Sequence, residues 1–370
     1  METTAKKSVL PLTLLSCLSL QAQEGKKISD FFTADMPGII KDGKVLLTVN
    51  TRYEHVEQDN LRDANAFTVR TALGFETGSL YGFSALFEAE DVTAIGSGNN
   101  YNQAGLNPGG AGRAVVADPE GTEVNRAWLG FDKWDTKLKL GRQRIVMDNA
   151  RFIGNVIWRQ NEQTYDALSL SNKSLEDFEF FYSYVYNVNR IFGDDHPAGD
   201  FDSDSHILHA SYSGLPFAKV TAYGYLLDFE TDSPINSTDT FGLSFVGKTK
   251  IAGDWSAKYH AEYAYQTDAG NNPVNYDANY LHLDAGAIYK QYDFGGGVEM
   301  LGSDSGKIGF STPLATLHAF NGWADAFLTT PADGLIDSYA YAGVTLPYGV
   351  PVRVLYHDFQ SDSGSTDYGN

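Results

Sequence analysis

From Val45 onward the chain alternates. Val45, Leu47, Val49, Thr51 and Tyr53 fall on one side of an extended backbone, and Thr48, Asn50, Arg52 and Glu54 on the other. Successive strand side chains point to opposite faces, so this pattern predicts a strand that is greasy on one face and charged on the other. The stretch 66–76 repeats the design, with Phe67, Val69, Leu73 and Phe75 opposite Thr68, Arg70 and Glu76. So does 81–90, where Phe83, Ala85 and Phe87 oppose Ser84, Glu88 and Glu90. Further strands are predicted at 124–132, 137–146, 164–171, 177–188, 205–213, 218–229, 239–248, 255–265, 279–290, 294–302, 336–345 and 350–359, about fifteen in all.

The greasy face has an unusual make-up. Phe178, Phe180, Tyr182, Tyr184 and Tyr186 share one side, as do Trp255, Ala257, Tyr259, Ala261, Tyr263 and Tyr265, the latter opposite Ser256, Lys258, His260, Glu262 and Gln266. Aromatic and small residues with Tyr at both strand ends suit a membrane interface, where the ring is buried and the hydroxyl stays wet. A soluble β-protein with exposed Tyr is the competing reading. Tight turns such as Thr77-Gly78-Ser79 alternate with long loops at 93–121, 148–163 and 192–203, as in a barrel with short turns at one rim and long loops at the other.

The expected fold is all-β: a large antiparallel transmembrane β-barrel of about 16–18 strands when complete. Single-chain bacterial barrels have even strand numbers, and this chain stops at the turn-like Asp367-Tyr368-Gly369-Asn370, so its last strand or strands are expected to be missing. The segment 304–333 has no strand period. It combines Pro313 and Pro331 with His318, Phe320, Asn321, Trp323 and Phe327, and is expected to fold into the lumen as a constriction rather than cap the exterior.

Composition narrows the compartment. There are 37 Gly, 22 Tyr and 22 Phe, and a single cysteine, Cys17, so neither disulfides nor thiolate metal sites are available to a mature chain. Lys6 and Lys7 precede an apolar run from Val9 to Leu20 and a cleavage-like Ala22, which reads as a signal peptide over 1–22. A lipid anchor at Cys17 is the weaker alternative, because Leu18 to Leu20 continue the apolar run. Residues 23–43 would then form an N-terminal periplasmic segment and 44–370 the barrel. No later run is apolar over 18 residues, which leaves an exported chain as a secreted soluble domain or a strand-built barrel.

Charge supplies the candidate chemistry. The chain carries a formal net charge of −20, yet Arg126, Arg142, Arg144, Arg151 and Arg159 with Lys133, Lys137 and Lys139 outnumber Asp132, Asp135, Asp148, Glu162 and Asp166 between 125 and 166. Arg52, Arg70, Arg126 and Arg353 lie opposite the greasy stripes and would project into the lumen. Two consequences are open: a guanidinium ring that attracts anions, or pairing of each arginine with inward Glu54, Glu76, Glu88 or Glu90. Arg142 and Arg144 would share the greasy face of Leu138 and Leu140 unless Gly141 marks a bulge that switches parity. Arg151 and Arg159 stand in a loop with Asn155, Trp158, Gln160 and Asn161, a mix used in sugar recognition and also in ordinary loop packing. Lys258, His318 and Trp323 complete the candidate pore lining.

Other chemistries are poorly represented. Asp200, Asp202 and Asp204 recur in an acidic loop that could hold calcium, but Ser205 and Ser211 stand where a calcium-binding loop needs Gly and Glu, and a solvated acidic loop with no cofactor is favoured. His206 and His209 are three apart on a strand, hence on opposite faces, while His260 and Glu262 share one. Nucleophile-elbow, zinc-protease and phosphate-loop signatures are absent. A nucleic-acid partner would need a basic patch.

Several stretches together carry a family resemblance: Val124-Asn125-Arg126-Ala127-Trp128-Leu129-Gly130-Phe131, Leu138-Lys139-Leu140-Gly141-Arg142-Gln143, Arg151-Phe152-Ile153-Gly154-Asn155, Trp158-Arg159-Gln160-Asn161-Glu162-Gln163 and Thr312-Pro313-Leu314-Ala315-Thr316-Leu317-His318-Ala319-Phe320-Asn321-Gly322-Trp323-Ala324-Asp325. The chain after Lys44 resembles the alginate-export outer-membrane barrels. The resemblance implies residence among outer-membrane lipids and an arginine-rich pore for an anionic polysaccharide, a related oligomer or another small anion. Arg126, Arg142, Arg151 and Arg159 match its motif positions, and the C-terminus departs from it by lacking a closing aromatic strand. A secreted β-rich carbohydrate-binding protein or polysaccharide-degrading enzyme is the alternative function.

Overall fold

The structure is a computed structural model and describes residues 38–230, 232–364 and 366–369. After a one-turn helix, α1 (Gly38–Lys41), every regular element is a strand apart from isolated 3-10 turns. In chain order they are β1 (Lys44–Val56), β2 (Ala64–Glu76), β3 (Phe83–Ala94), β4 (Gly121–Lys133), β5 (Thr136–Gln143), β6 (Thr164–Asn172), β7 (Phe178–Asn189) and β8 (Asp200–Tyr212). There follow β9 (Lys219–Leu227), β10 (Thr238–Ala252), β11 (Trp255–Asp268), β12 (Asp277–Tyr289), β13 (Tyr292–Leu301), β14 (Leu335–Thr345), β15 (Pro351–Gln360) and β16 (Asp367–Gly369). All belong to one antiparallel meander in which each strand pairs with its sequence neighbours. Connections at one rim are turns, such as 134–135, 253–254 and 290–291, and those at the other include the loops 95–120, 144–163 and 302–334.

The two faces of this sheet invert the usual arrangement of a soluble protein. Outward positions are apolar and exposed: Leu73, Phe87, Leu129, Leu243, Tyr263 and Val354, the last 71% exposed. Their inward neighbours are polar and buried, among them Thr68, Arg70, Glu88, Glu90, Glu262, Glu299 and Asp337. No second sheet or helical layer covers the greasy stripes in the strand pairings or elements described. A sheet that hides its charges and shows its aromatics is stable only where the outer solvent is hydrocarbon. Among the described residues no helix is long and apolar enough to cross a membrane, so the strands are the spanning elements.

The interior holds a large apolar cluster. Phe152, Ile153, Phe310 and Leu314 from two loops pack with Ile207 of β8, Tyr223 and Tyr225 of β9, Tyr280 of β12, Leu301 of β13 and Leu335 of β14. A smaller one, Ala64, Ala66, Tyr101, Ala114 and Val116, lies by β2, and β2 to β4 add the inward ion pairs of Arg70 with Glu90 and Arg126 with Glu88.

Two expectations are corrected. β8 begins at Asp200 rather than 205, so the acidic triplet lies on a strand. Asp200, Asp202 and Asp204 alternate along it as exposed residues with Phe201, Ser203 and Ser205 buried between them. Among the described residues, these three are not one of the groups whose ligand atoms all lie within 4.8 Å of one another, so the structure does not bring their oxygens together around one calcium. Gly141 marks no bulge: the register runs unbroken from Leu140↔Leu129 through Gly141↔Trp128 to Arg142↔Ala127. Its φ of +116° and the closeness of the Ala127 carbonyl explain the glycine instead. Arg142 therefore keeps the parity of Leu138 and Leu140 and leaves the inward set. At the C-terminal end, β16 pairs with β15 only at Phe359↔Gly369 and Gln360↔Asp367, and among the described residues no pairing joins it to β1. The expected signal peptide and residues 23–37 of the expected periplasmic segment lie outside the described residues.

Candidate pore constriction

The loop 144–163 leaves β5 and crosses the lumen. At one end Gln160 donates from Nε2 to Thr68 Oγ1 of β2 at 2.8 Å and accepts from Asn50 of β1 at 3.2 Å, and its backbone N–H bonds Asp118 at 3.0 Å. At the other, the Phe152 ring sits 5.3 Å from that of Tyr223 and 5.2 Å from that of Tyr280. One segment thus touches opposite walls. The second loop, 302–334, runs beside it: Ile153 and Leu314 form a parallel bridge, Gly154 N–H donates to the Leu314 carbonyl at 2.8 Å, and Val156 N–H to Thr316 Oγ1 at 3.2 Å. Within the segment 304–333, Phe310 and Leu314 are buried, while Trp323 is 59% exposed.

Around this crossbar the guanidinium groups meet carboxylates. Arg52 pairs with Glu54, and Arg159 reaches the same carboxylate at 3.1 Å. Both lie over the Trp158 ring, at 4.2 and 4.1 Å, and His318 stacks on that ring at 3.6 Å. Arg70 donates to Glu90 at 2.6 Å. Arg126 grips Glu88 through two bonds of 2.8 Å, with Asn125 on the same carboxylate. Asn125 is the extra residue of a bulge, since pairing steps from Glu88↔Arg126 to Ala89↔Val124. That bulge lets two consecutive side chains reach one acid.

Glu162 is the hub, and sequence reasoning passed it over. Its oxygens accept from Arg144 at 2.5 Å, Arg70 at 3.3 Å, Asn125 at 2.7 Å and Asn155 at 3.1 Å. Arg151, although 2% exposed, is tied to Glu299 at 2.6 Å and to Asn321 at 3.1 Å. Burial alone would lower the Arg151 pKa; the Glu299 carboxylate outweighs it and holds the group above its usual value. Lys258 and Arg353 form a separate inward pair on Asp293, each at 2.5 Å and each over Tyr341 at 4.5 Å. Arg142 binds Asp166 through bonds of 2.9 and 3.2 Å on the outward parity. Of the two open consequences, the described contacts give the paired one: each of the eight candidate arginines has a carboxylate partner. Glu162 and Glu299 carried no local signal, because their arginine partners are 18 to 148 residues away.

A model of the alginate export family matches residues 48–293. The chain belongs to the alginate export family. It is an outer-membrane β-barrel porin, a channel and not an enzyme, so the secreted saccharide-binding or degrading alternative falls away. Solved barrels with the same fold include OccK9 (OpdG) of Pseudomonas aeruginosa, 15% identical, with a TM-score of 0.69 over 90% of this porin and 86% of that chain. OpdK of the same organism, solved with vanillate, is 14% identical, with a TM-score of 0.63 over 89% and 96%. OccAB1 of Acinetobacter baumannii is 13% identical, with a TM-score of 0.62 over 88% and 82%. No curated protein matches this sequence.

Proposed function

We propose that the porin conducts small anionic solutes, acidic oligosaccharides of the alginate type foremost, by passive diffusion past the crossbar formed by its two inward loops. The observation that carries this reading is the stacking of Arg52 and Arg159 on Trp158, with His318 on the same ring and Arg126 and Arg144 on neighbouring carboxylates, inside a chain of strongly negative net charge. A guanidinium has five N–H donors, and its fixed carboxylate uses about two of them. Arg144, 33% exposed at its side chain, and Lys258, 23%, keep donors for a passing carboxylate. The aromatic rings offer a flat surface to a sugar face.

Pairing suits transport better than a bare ring of charge would. Conduction needs sites favourable enough to enter and weak enough to leave. A solute carboxylate that borrows a donor from Arg144 competes with Glu162, and the competition keeps its residence short.

Reversal potentials in planar bilayers under a salt gradient test the reading. The wild-type channel should prefer anions, and the Arg52→Gln, Arg144→Gln double variant should lose at least half of that preference. Cation preference in the wild type, or an unchanged potential in the variant, would count against it.

A further inference from the structure

We propose that the inner wall of β11 and β12 holds a divalent transition-metal site formed by His260, Glu262 and His282. Register places Glu262 directly opposite His282, with His260 two residues along the same inward face. One ligand atom from each of the three lies within 4.8 Å of the other two. Sites of this type bind at about 2.0–2.2 Å, so small side-chain rotations suffice to close the three onto one ion.

The second observation is the state of the ring nitrogens. His282 Nδ1 is buried and without a hydrogen-bond partner, and His260 Nε2, buried 3.0 Å from a Glu262 oxygen, makes no aligned hydrogen bond to it, although the two imidazoles stand edge to face with centroids 4.4 Å apart. The surrounding bonds fix what His282 Nδ1 is. Asp284 can only accept, so the Tyr339 hydroxyl donates its one proton there, at 3.1 Å. Its oxygen then receives the Nε2–H of His282, at 2.8 Å. Nδ1 is left as a bare, unpartnered lone pair. This is the outer arrangement that orients metal-ligating histidines, with one nitrogen donating and the other free to coordinate.

Glu262 is prepared in the same way. Tyr223 donates to one of its oxygens at 2.7 Å, and the other lies 3.0 Å from His260 Nε2. Two imidazoles and a carboxylate select zinc, copper or nickel over calcium or magnesium, and three protein ligands leave one position open to the lumen. The His260 side chain is 16% exposed, which gives an ion its way in. A second cluster, His55 with Glu57 and Asp63, is a weaker rival: both His55 nitrogens already have partners, Asn65 at 3.0 Å and Glu57 at 3.1 Å.

The test uses the full chain refolded in detergent, stripped with chelator and titrated with Cu2+ and with Zn2+. One ion per chain is expected, and the Cu2+ electron paramagnetic resonance spectrum should show coupling to two imidazole nitrogens. His260→Ala and His282→Ala should each weaken binding at least tenfold, Glu262→Gln should weaken it severalfold, and His55→Ala should leave it unchanged. The spectrum needs no variant, so it decides even where a substitution fails to fold. No bound ion, a spectrum without nitrogen coupling, or binding lost with His55 instead would overturn the assignment.

Discussion

Glu162 shows how much rests on one side chain. Its carboxylate, 1% exposed, offsets the guanidinium groups of both Arg70 and Arg144. Glu162→Gln keeps the shape and an acceptor but removes the charge. Breaking a buried pair from one side costs about 3–5 kcal/mol, so the variant barrel should unfold at lower temperature in a heat-dependent gel shift. The freed Arg144 should also make the channel more anion-preferring. Asp148, in the crossbar, gives a pH prediction. Burial would raise its pKa, but His209 at 2.9 Å and Lys219 at 2.7 Å outweigh burial and hold it at about 2. A folded pKa below the ordinary carboxylate value of about 3.9 stabilises above roughly pH 4 and is lost as pH falls toward 2, by on the order of 2 kcal/mol. Asp148→Asn should flatten the acid limb of a thermal-melt profile between those two values. At this scale the sequence was informative about polarity and silent about partners. Alternation put Arg52, Arg70, Arg126 and Arg353 on the inward face, but no local pattern joins Arg151 to Glu299.

Among elements, the strands were legible because burial on one face only leaves a period of two in the chain. β7 is the clearest case, with Phe178, Phe180 and Tyr182 exposed in turn. Errors arose where alternation continued under a polar composition: the start of β8 was read as a loop because its outward residues are Asp200, Asp202 and Asp204. The crossbar was recognisable as irregular but its path was not, since its anchors Asn50, Thr68, Tyr223 and Tyr280 are scattered through the chain. Phe152 pins it to the far wall among four aromatic rings. Phe152→Ala should cost about 3–5 kcal/mol of barrel stability and produce flickering single-channel currents as the loop loosens. A different constraint acts where Tyr339 of β14 lies over β13: a Cβ on Gly297 would stand 2.6 Å from the Tyr339 hydroxyl. The same Cβ would collide with the Leu283 carbonyl beside His282, so Gly297→Val should displace both the ring and that stretch of β12 and weaken metal binding.

For the whole molecule, the decisive feature is the inversion of polarity, with aromatics outside and ion pairs within. It follows from the sequence pattern once hydrocarbon is taken as the outer solvent, which is why fold and compartment were readable from the chain while the solute was not. The central claim is that the two inward loops, and not the barrel diameter, limit passage. Single-channel conductance in planar bilayers tests it most directly, comparing the wild type with a variant in which residues 148–158 are replaced by a short Gly-Ser linker. The wild type should show discrete steps, and the variant steps severalfold larger. Equal conductance from the two correctly folded barrels, or none from either, would contradict it.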